Sequence, residues 1–295
     1  MSWKKLPLVA FDTETTGLQA HNGDRVIEFA AVEFTLDETG RIENVIRREK
    51  LFNPGIPIPR EVVKLTGISD EDVVDAPPFK THAKEIWSLL HERIIVAHNL
   101  PFDRGFLCME FRKLGLDWPA PLAEIDTYDL SVRFFKESRG HKLSDVSSRL
   151  GVTLEGAHRA SNDAEASGRV FLKIADQLNA PGELEEMLDW ADALGQPPPN
   201  SVIALNEKSI PVFTEAPLEG ESIEDHPVHL QWMEIALVRA EGAWQPRYPA
   251  ALRAWISRFL RIRASGRARQ NPKSFSPADW TIDSLALPPE EAGLL

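Results

Sequence analysis

The sequence predicts an α/β fold built on a central mixed sheet. Two observations carry that expectation. Three strand-like apolar runs open the chain, and helices alternating with further short strands follow them. The second and third runs are separated by a tight turn, so the sheet is only partly parallel.

The first run, LPLVAFD at residues 6–12, is a buried strand with acids at its C-terminal end, and Gly17 supplies a turn after it. RVIEFAAVEF (25–34) and IENVIRREKLF (42–52) form a hairpin turning at 38–40, and NPGIPIP then breaks regular structure. HAKEIWSLLH (82–91) places Ile86, Leu89 and Leu90 on one helical face. Residues 94–97 read as a short buried strand. A helix begins near Pro101, with Phe102, Phe106, Leu107, Met109 and Phe111 as core candidates. EIDTYDLSVRFF starts as an edge strand and becomes a helix; KLSDVSSRLG is a helix closed by Gly151; a long helix covers 162–178. Beyond it, 183–194 and 229–242 have helical periodicity, QPPPN (196–200) is a stiff spacer or a chain reversal, and 215–227 is an acidic loop. We therefore divide the chain into a domain at 1–180, an acidic, Pro-containing connecting region at 181–227 and a small C-terminal region at 228–295 of uncertain fold.

Composition narrows the function classes. The 295 residues are 43% hydrophobic and 26% charged, which fits a packed core and excludes global disorder. A single cysteine, Cys108, excludes an internal disulfide framework and weighs against a thiolate zinc centre. The N-terminus does not read as a signal peptide, and no stretch reaches eighteen apolar residues, so we expect a soluble cytoplasmic protein with no membrane partner. The net charge of −12 argues against a protein that coats nucleic acid nonspecifically. It does not exclude an enzyme whose carboxylates are offset by bound cations.

The sharpest local signal is FDTETTG at 11–17. On a strand, Asp12 and Glu14 share one side and Thr13 faces the other. Two such acids repel unless a cation lies between them, and oxygen-only ligation suits Mg²⁺ or Mn²⁺. Alone, an acid pair on a strand is weak evidence. AHNLPFDRGFL (97–107) adds Asp103 at a helix start, which reads either as a helix-end carboxylate or as a third ligand. HRASNDAEAS (158–167) adds His158, on a loop, and Asp163, in the first turn of the long helix; Ala160, Ala164 and Ala166 would let that helix approach the sheet closely.

Together these pieces resemble the DEDD superfamily of 3'→5' exonucleases, histidine subgroup, and in particular the proofreading subunits of bacterial DNA polymerases. FDTETTG matches the first motif, HNxxFD the second and HxxxxD the third, over roughly residues 5–178. Leu100–Pro101 and Ser161–Asn162 depart from residues common in the family without removing a ligand or the base. The resemblance implies a three-layer ribonuclease H-like fold. It also implies metal ligation by Asp12, Glu14, Asp103 and Asp163, with His158 as general base. Two Mg²⁺ or Mn²⁺ ions about 3.5–4 Å apart would serve phosphodiester hydrolysis there. LTGI (65–68) resembles the family's substrate-side loop, and Asp126 is expected to be supportive. Around the terminal nucleotide we expect Thr13, Thr15, Leu18, Thr66, Asn99 and Phe102. Phe102 reads most economically as core, and Asn99 and His98 read first as residues that hold their loop by hydrogen bonds.

The expected substrate is the 3' end of nucleic acid, DNA favoured over RNA, in proofreading or repair. An exoribonuclease and a catalytically quiet adaptor stay open as alternatives. No acid occurs between Gly242 and Ala278, whereas Arg247, Arg253, Arg258, Arg261, Arg263, Arg267, Arg269 and Lys273 do, interleaved with aromatics. That segment reads as a nucleic-acid contact or as a surface for a polymerase, another protein partner or the chain's own acidic stretch.

Overall fold

The computed structural model describes residues 1–135, 137–154, 156, 159–192, 197, 201–208, 210–240, 243–249, 252–253 and 255–260. They fall into two compact units, Met1–Ala191 and Asp192–Leu295.

The first unit is built on a five-stranded mixed sheet. Its strands are β1 (Leu8–Thr15), β2 (Val26–Leu36), β3 (Ile42–Leu51), β4 (Ile94–Ala97) and β5 (Ala123–Asp126), in the order β3-β2-β1-β4-β5. β1, β2 and β3 pair antiparallel, and β4 and β5 run parallel to β1. The β2–β3 turn is tight because Asp37 Oδ1 accepts from Thr39 N, Thr39 Oγ1 and Arg41 N, while Gly40 takes the left-handed region at φ 88°.

The helices of this unit are α1 (Arg60–Thr66), α2 (Asp70–Val73), α3 (Ala83–Leu90), α4 (Leu100–Arg112), α5 (Thr127–Phe134), α6 (Leu143–Leu150), α7 (Ala160–Gln177) and α8 (Leu184–Asp192). The period-two alternation of β1 sorts them into layers. Leu8 and Ala10 join Val146, Val170, Phe171, Ile174 and Met187 in one core, so α6, α7 and α8 cover that face. Val9 and Phe11 join Ile86, Leu90, Phe106, Leu107 and Phe111 in another, so α3 and α4 cover the opposite face.

The element order agrees with the sequence reading, with shifted boundaries. β1 continues past the acids to Thr15, because β2 pairs with it along its whole length. α7 begins at Ala160 rather than 162, for a reason given below. Gly17 does not take a left-handed turn. It is glycine because a Cβ there would lie 2.3 Å from Asp24 Oδ2, and that carboxylate accepts from Gln19 N.

The second unit has β6 (Ile203–Leu205) paired with β7 (Pro211–Phe213), α9 (Pro227–Ile235), and β8 (Leu237–Ala240) paired with β9 (Ala243–Pro246). Its own core gathers Ile203, Phe213, Leu218, Ile223, Leu230, Trp232 and Ile256. The helix expected over 229–242 is therefore corrected. It stops at Ile235, Ala236 takes an extended conformation with ψ 136°, and the next residues form a hairpin strand instead. The expected loop at 215–227 includes a short 3-10 turn, Ile223–Asp225, that buries Ile223. Of the QPPPN spacer only residue 197 is described, and Arg261, Arg263, Arg267, Arg269 and Lys273 lie outside the described residues. No described helix is long and apolar enough to cross a membrane.

Candidate functional site

The C-terminal half of β1 carries alternating side chains to two layers. Asp12 and Glu14 continue the Leu8–Ala10 face, toward α7, whose first turns bring in Asp163. Single carboxylate oxygens of Asp12, Glu14 and Asp163 all lie within 4.8 Å of one another. Thr13 points to the opposite layer, toward α4. Pairing of β1 with β4 ends at Ala10, which leaves the Thr13 amide free of the ladder on that side. Asp103, in the first turn of α4, takes it up: its Oδ1 accepts from Thr13 N at 2.8 Å and Thr13 Oγ1 at 2.7 Å. Asp103 thus comes to the site from the other face of the sheet and does not share the ligating distance of the three other acids.

Electrostatics tie all four together. Burial first, then the charges of Asp103, Asp163, Glu14 and Glu28, hold the Asp12 carboxyl well above the usual carboxylate range. Glu14 is pushed up to about 8 by burial and by Asp163, Glu28 and Asp103. Asp103 is pushed up to about 7 by burial, against the opposing effect of its Thr13 hydrogen bonds. This crowding is the strain a hard divalent cation relieves, and an all-carboxylate donor set is the kind such a cation prefers. Asp12, Glu14 and Asp163 have the spacing to hold one directly.

The remaining expected residues are placed as follows. Thr15 Oγ1 donates to Gly17 O at 2.6 Å and so shapes the turn after β1, while Leu18 is 75% exposed at its tip. Thr66 is buried at the end of α1, where its hydroxyl donates to Val62 O and accepts from Ile68 N. Asn99 takes a left-handed conformation at φ 69°, and its backbone N–H donates to Asp126 Oδ1, which also accepts from Tyr128 N at the start of α5. Phe102 is half-buried against Phe106, ring centroids 5.0 Å apart. His98 Nε2 donates to the His141 carbonyl, its Nδ1 lies 2.9 Å from the Thr127 hydroxyl, and burial lowers its pKa to about 4. It is a neutral loop-holding group. His158 lies outside the described residues.

One residue escaped the sequence reading. Glu28, on β2 directly opposite Glu14, is completely buried. Arg159 Nη2 donates to its Oε1 at 2.8 Å and Ala160 N to its Oε2 at 2.9 Å. The available signal was a lone charge inside the apolar run VIEFAAV.

Comparison with known proteins bears on this arrangement. A family model described as Exonuclease (RNase_T) matches residues 9–171, more than half of the chain. The chain belongs to the exonuclease family. The matched span contains Asp12, Glu14, Asp103 and Asp163. It is 38% identical over 174 residues to the 3'-5' exonuclease DinG of Bacillus subtilis, covering 59% of the chain and 18% of the relative. It is 36% identical over 189 residues to a PolC-type DNA polymerase III of Bacillus cereus, covering 64% and 12%. With a DNA polymerase III subunit epsilon-like protein of Rhodobacter capsulatus the identity is 35% over 180 residues, covering 60% and 25%. The aligned part of the chain is thus no more than a quarter of the length of each of these relatives. Among solved structures, E. coli Exonuclease I in complex with a dT13 oligonucleotide matches with a TM-score of 0.53 at 14% identity, covering 96% of this chain and 75% of that one, which supports the ribonuclease H-like fold.

Proposed function

We propose that this protein is a divalent-cation-dependent 3'→5' exonuclease that removes nucleoside 5'-monophosphates from DNA ends, in proofreading or repair. The observation that carries the reading is the convergence of Asp12, Glu14 and Asp163, from two elements 150 residues apart in sequence, inside the span that matches the exonuclease family. Asp12, Glu14, Asp103 and Asp163 would hold two Mg²⁺ or Mn²⁺ ions. When bound, such ions supply Lewis-acid stabilisation of the phosphate and of the departing 3' oxygen. His158 takes the proton of the attacking water, a task that suits an imidazole near neutral pH. The turn after β1, with Thr15 and Leu18, and the α1 end with Thr66 flank the terminal nucleotide. Thr13, Asn99 and Phe102 support the site from the α4 side. DNA is favoured because relatives sharing this segment include DNA polymerase III chains. The same relationship supports a polymerase as protein partner, contacted through residues 181–295.

The test is a product ladder from 3'-labelled and 5'-labelled single-stranded DNA, duplex DNA and RNA with Mg²⁺, Mn²⁺ or chelator. We expect metal-dependent shortening from the 3' end with mononucleotide release. Cleavage of a closed circle, or unchanged turnover in chelator, overturns the reading; a ladder on RNA alone reassigns the substrate.

A further inference from the structure

We propose that Glu28 is a positioning residue: from β2 it pins the start of α7 and thereby sets Asp163 against Asp12 and Glu14. The inference rests on the proposed role of those three acids as cation ligands.

A carboxylate with no exposed surface is costly unless paired and fully hydrogen-bonded. Among the described residues, Glu28 meets that requirement with partners at the start of α7, Arg159 and Ala160. Arg159 approaches it through Nε and Nη2, and Ala160 gives its backbone N–H. The helix needs this help. Its first amides have no partner within the helix, and the N-cap residue, Arg159, makes no side-chain capping bond. The missing acceptor is supplied across 132 residues of sequence by the strand next to β1. A second tie runs parallel to it, Ser161 Oγ donating to Glu49 Oε1 of β3 at 2.6 Å.

The register gives this anchor its purpose. Glu28 and Glu14 are direct cross-strand partners. The same rung of the sheet therefore carries one expected ligand and the group that fixes the helix delivering another. Asp163 follows Ala160 by three residues, within one helical turn. A shift of the helix start passes straight to its carboxylate.

The experiment measures Mn²⁺ affinity by calorimetry, single-turnover rate at saturating Mn²⁺, oligonucleotide KM and Tm on the full chain. We expect Glu28→Gln to weaken Mn²⁺ binding about 10–100-fold, the range for losing a group that orients a ligand, and to slow turnover with KM within about twofold. Arg159→Ala should do the same even though it leaves the Glu28 charge in place, and Arg159→Lys should recover most of the loss. The double variant Glu28→Gln/Arg159→Ala should be no worse than the poorer single, because the two act as one unit. Arg159 is half-exposed, so its variants stay interpretable if Glu28→Gln fails to fold. Normal Mn²⁺ affinity in Arg159→Ala, tighter binding there (a charge effect only), or additive losses would overturn the proposal. A wild-type chain that binds Mn²⁺ but cleaves no end sinks the exonuclease reading alone, because the affinity comparison still stands. A wild-type chain with no Mn²⁺ affinity sinks both.

Discussion

Asp12 sits under the repulsion of four other acids, Asp103, Asp163, Glu14 and Glu28, in a buried setting. Removing its charge therefore helps the metal-free fold and harms the site. Asp12→Asn should raise Tm in chelator at pH 8, abolish the further Tm rise on adding Mn²⁺, and cut exonuclease activity by about 10²–10³-fold or more, the scale for losing a central electrostatic group. A Tm below wild type in chelator would show that repulsion is not the dominant effect. The same crowding sets a pH dependence. Glu14 at about 8 and Asp103 at about 7 titrate above their unfolded values near 4. Between those limits the folded chain binds more protons than the unfolded one. Metal-free stability is thus complete below about pH 4 and declines as pH rises toward 8. Melting curves from pH 5 to 8.5 should show that decline in chelator and a much flatter profile in Mn²⁺; parallel profiles would refute it. His158→Ala should leave Mn²⁺ binding intact and slow single-turnover hydrolysis about 10²–10⁴-fold, and an unchanged rate removes it as the base.

α7 shows how one element connects packing to the site. It lies close on the sheet because Ala160, Ala164, Ala166 and Gly168 are buried beneath it. The alanines were legible in the sequence; the tightest point was not. A Cβ at Gly168 would lie 2.3 Å from Phe34 Cε2 and 3.0 Å from Ala10 Cβ. Gly168→Ala gains about 1 kcal/mol of helix propensity in isolation, yet here it must push the helix off β1 and β2. We expect a net loss of roughly 1–3 kcal/mol, the range for overpacking, read as a lower Tm with weaker Mn²⁺ binding; a higher Tm would mean the helix yields freely. Elements with local signals were readable: β4 as four apolar residues, α6 from its closing Gly151, α4 from Pro101 at its start. What was hidden depended on distant partners. The start of α7 is fixed by Glu28, the Asp103–Thr13 bond joins residues 90 apart, and the end of α9 at Ile235 is set by a hairpin that helical periodicity could not foresee. Asp12, Glu14, Asp103 and Asp163 were legible because they stand in recognisable strings, whereas Glu28 stood as a lone acid among apolar neighbours.

At the scale of the molecule, the family match at 9–171 falls wholly inside the unit Met1–Ala191, and the second unit has a hydrophobic core of its own. A chain ending near Gln196 should therefore fold, bind Mn²⁺ like the full protein and degrade short oligonucleotides at a similar rate. If arginines beyond that point contact phosphates, its affinity for longer strands should fall and the salt dependence should flatten; unchanged affinity at every salt concentration assigns them instead to protein contacts. Loss of Mn²⁺ binding in the shortened chain would show that the first unit does not stand alone. The alternation along β1 has a further consequence for how such chains can vary. Residues inserted into the exposed turn at 37–41 would only lengthen a surface excursion. A single residue added between Leu8 and Asp12 would send the two acids to the α4 layer and the threonine to the α7 layer, turning the centre inside out while leaving its composition untouched.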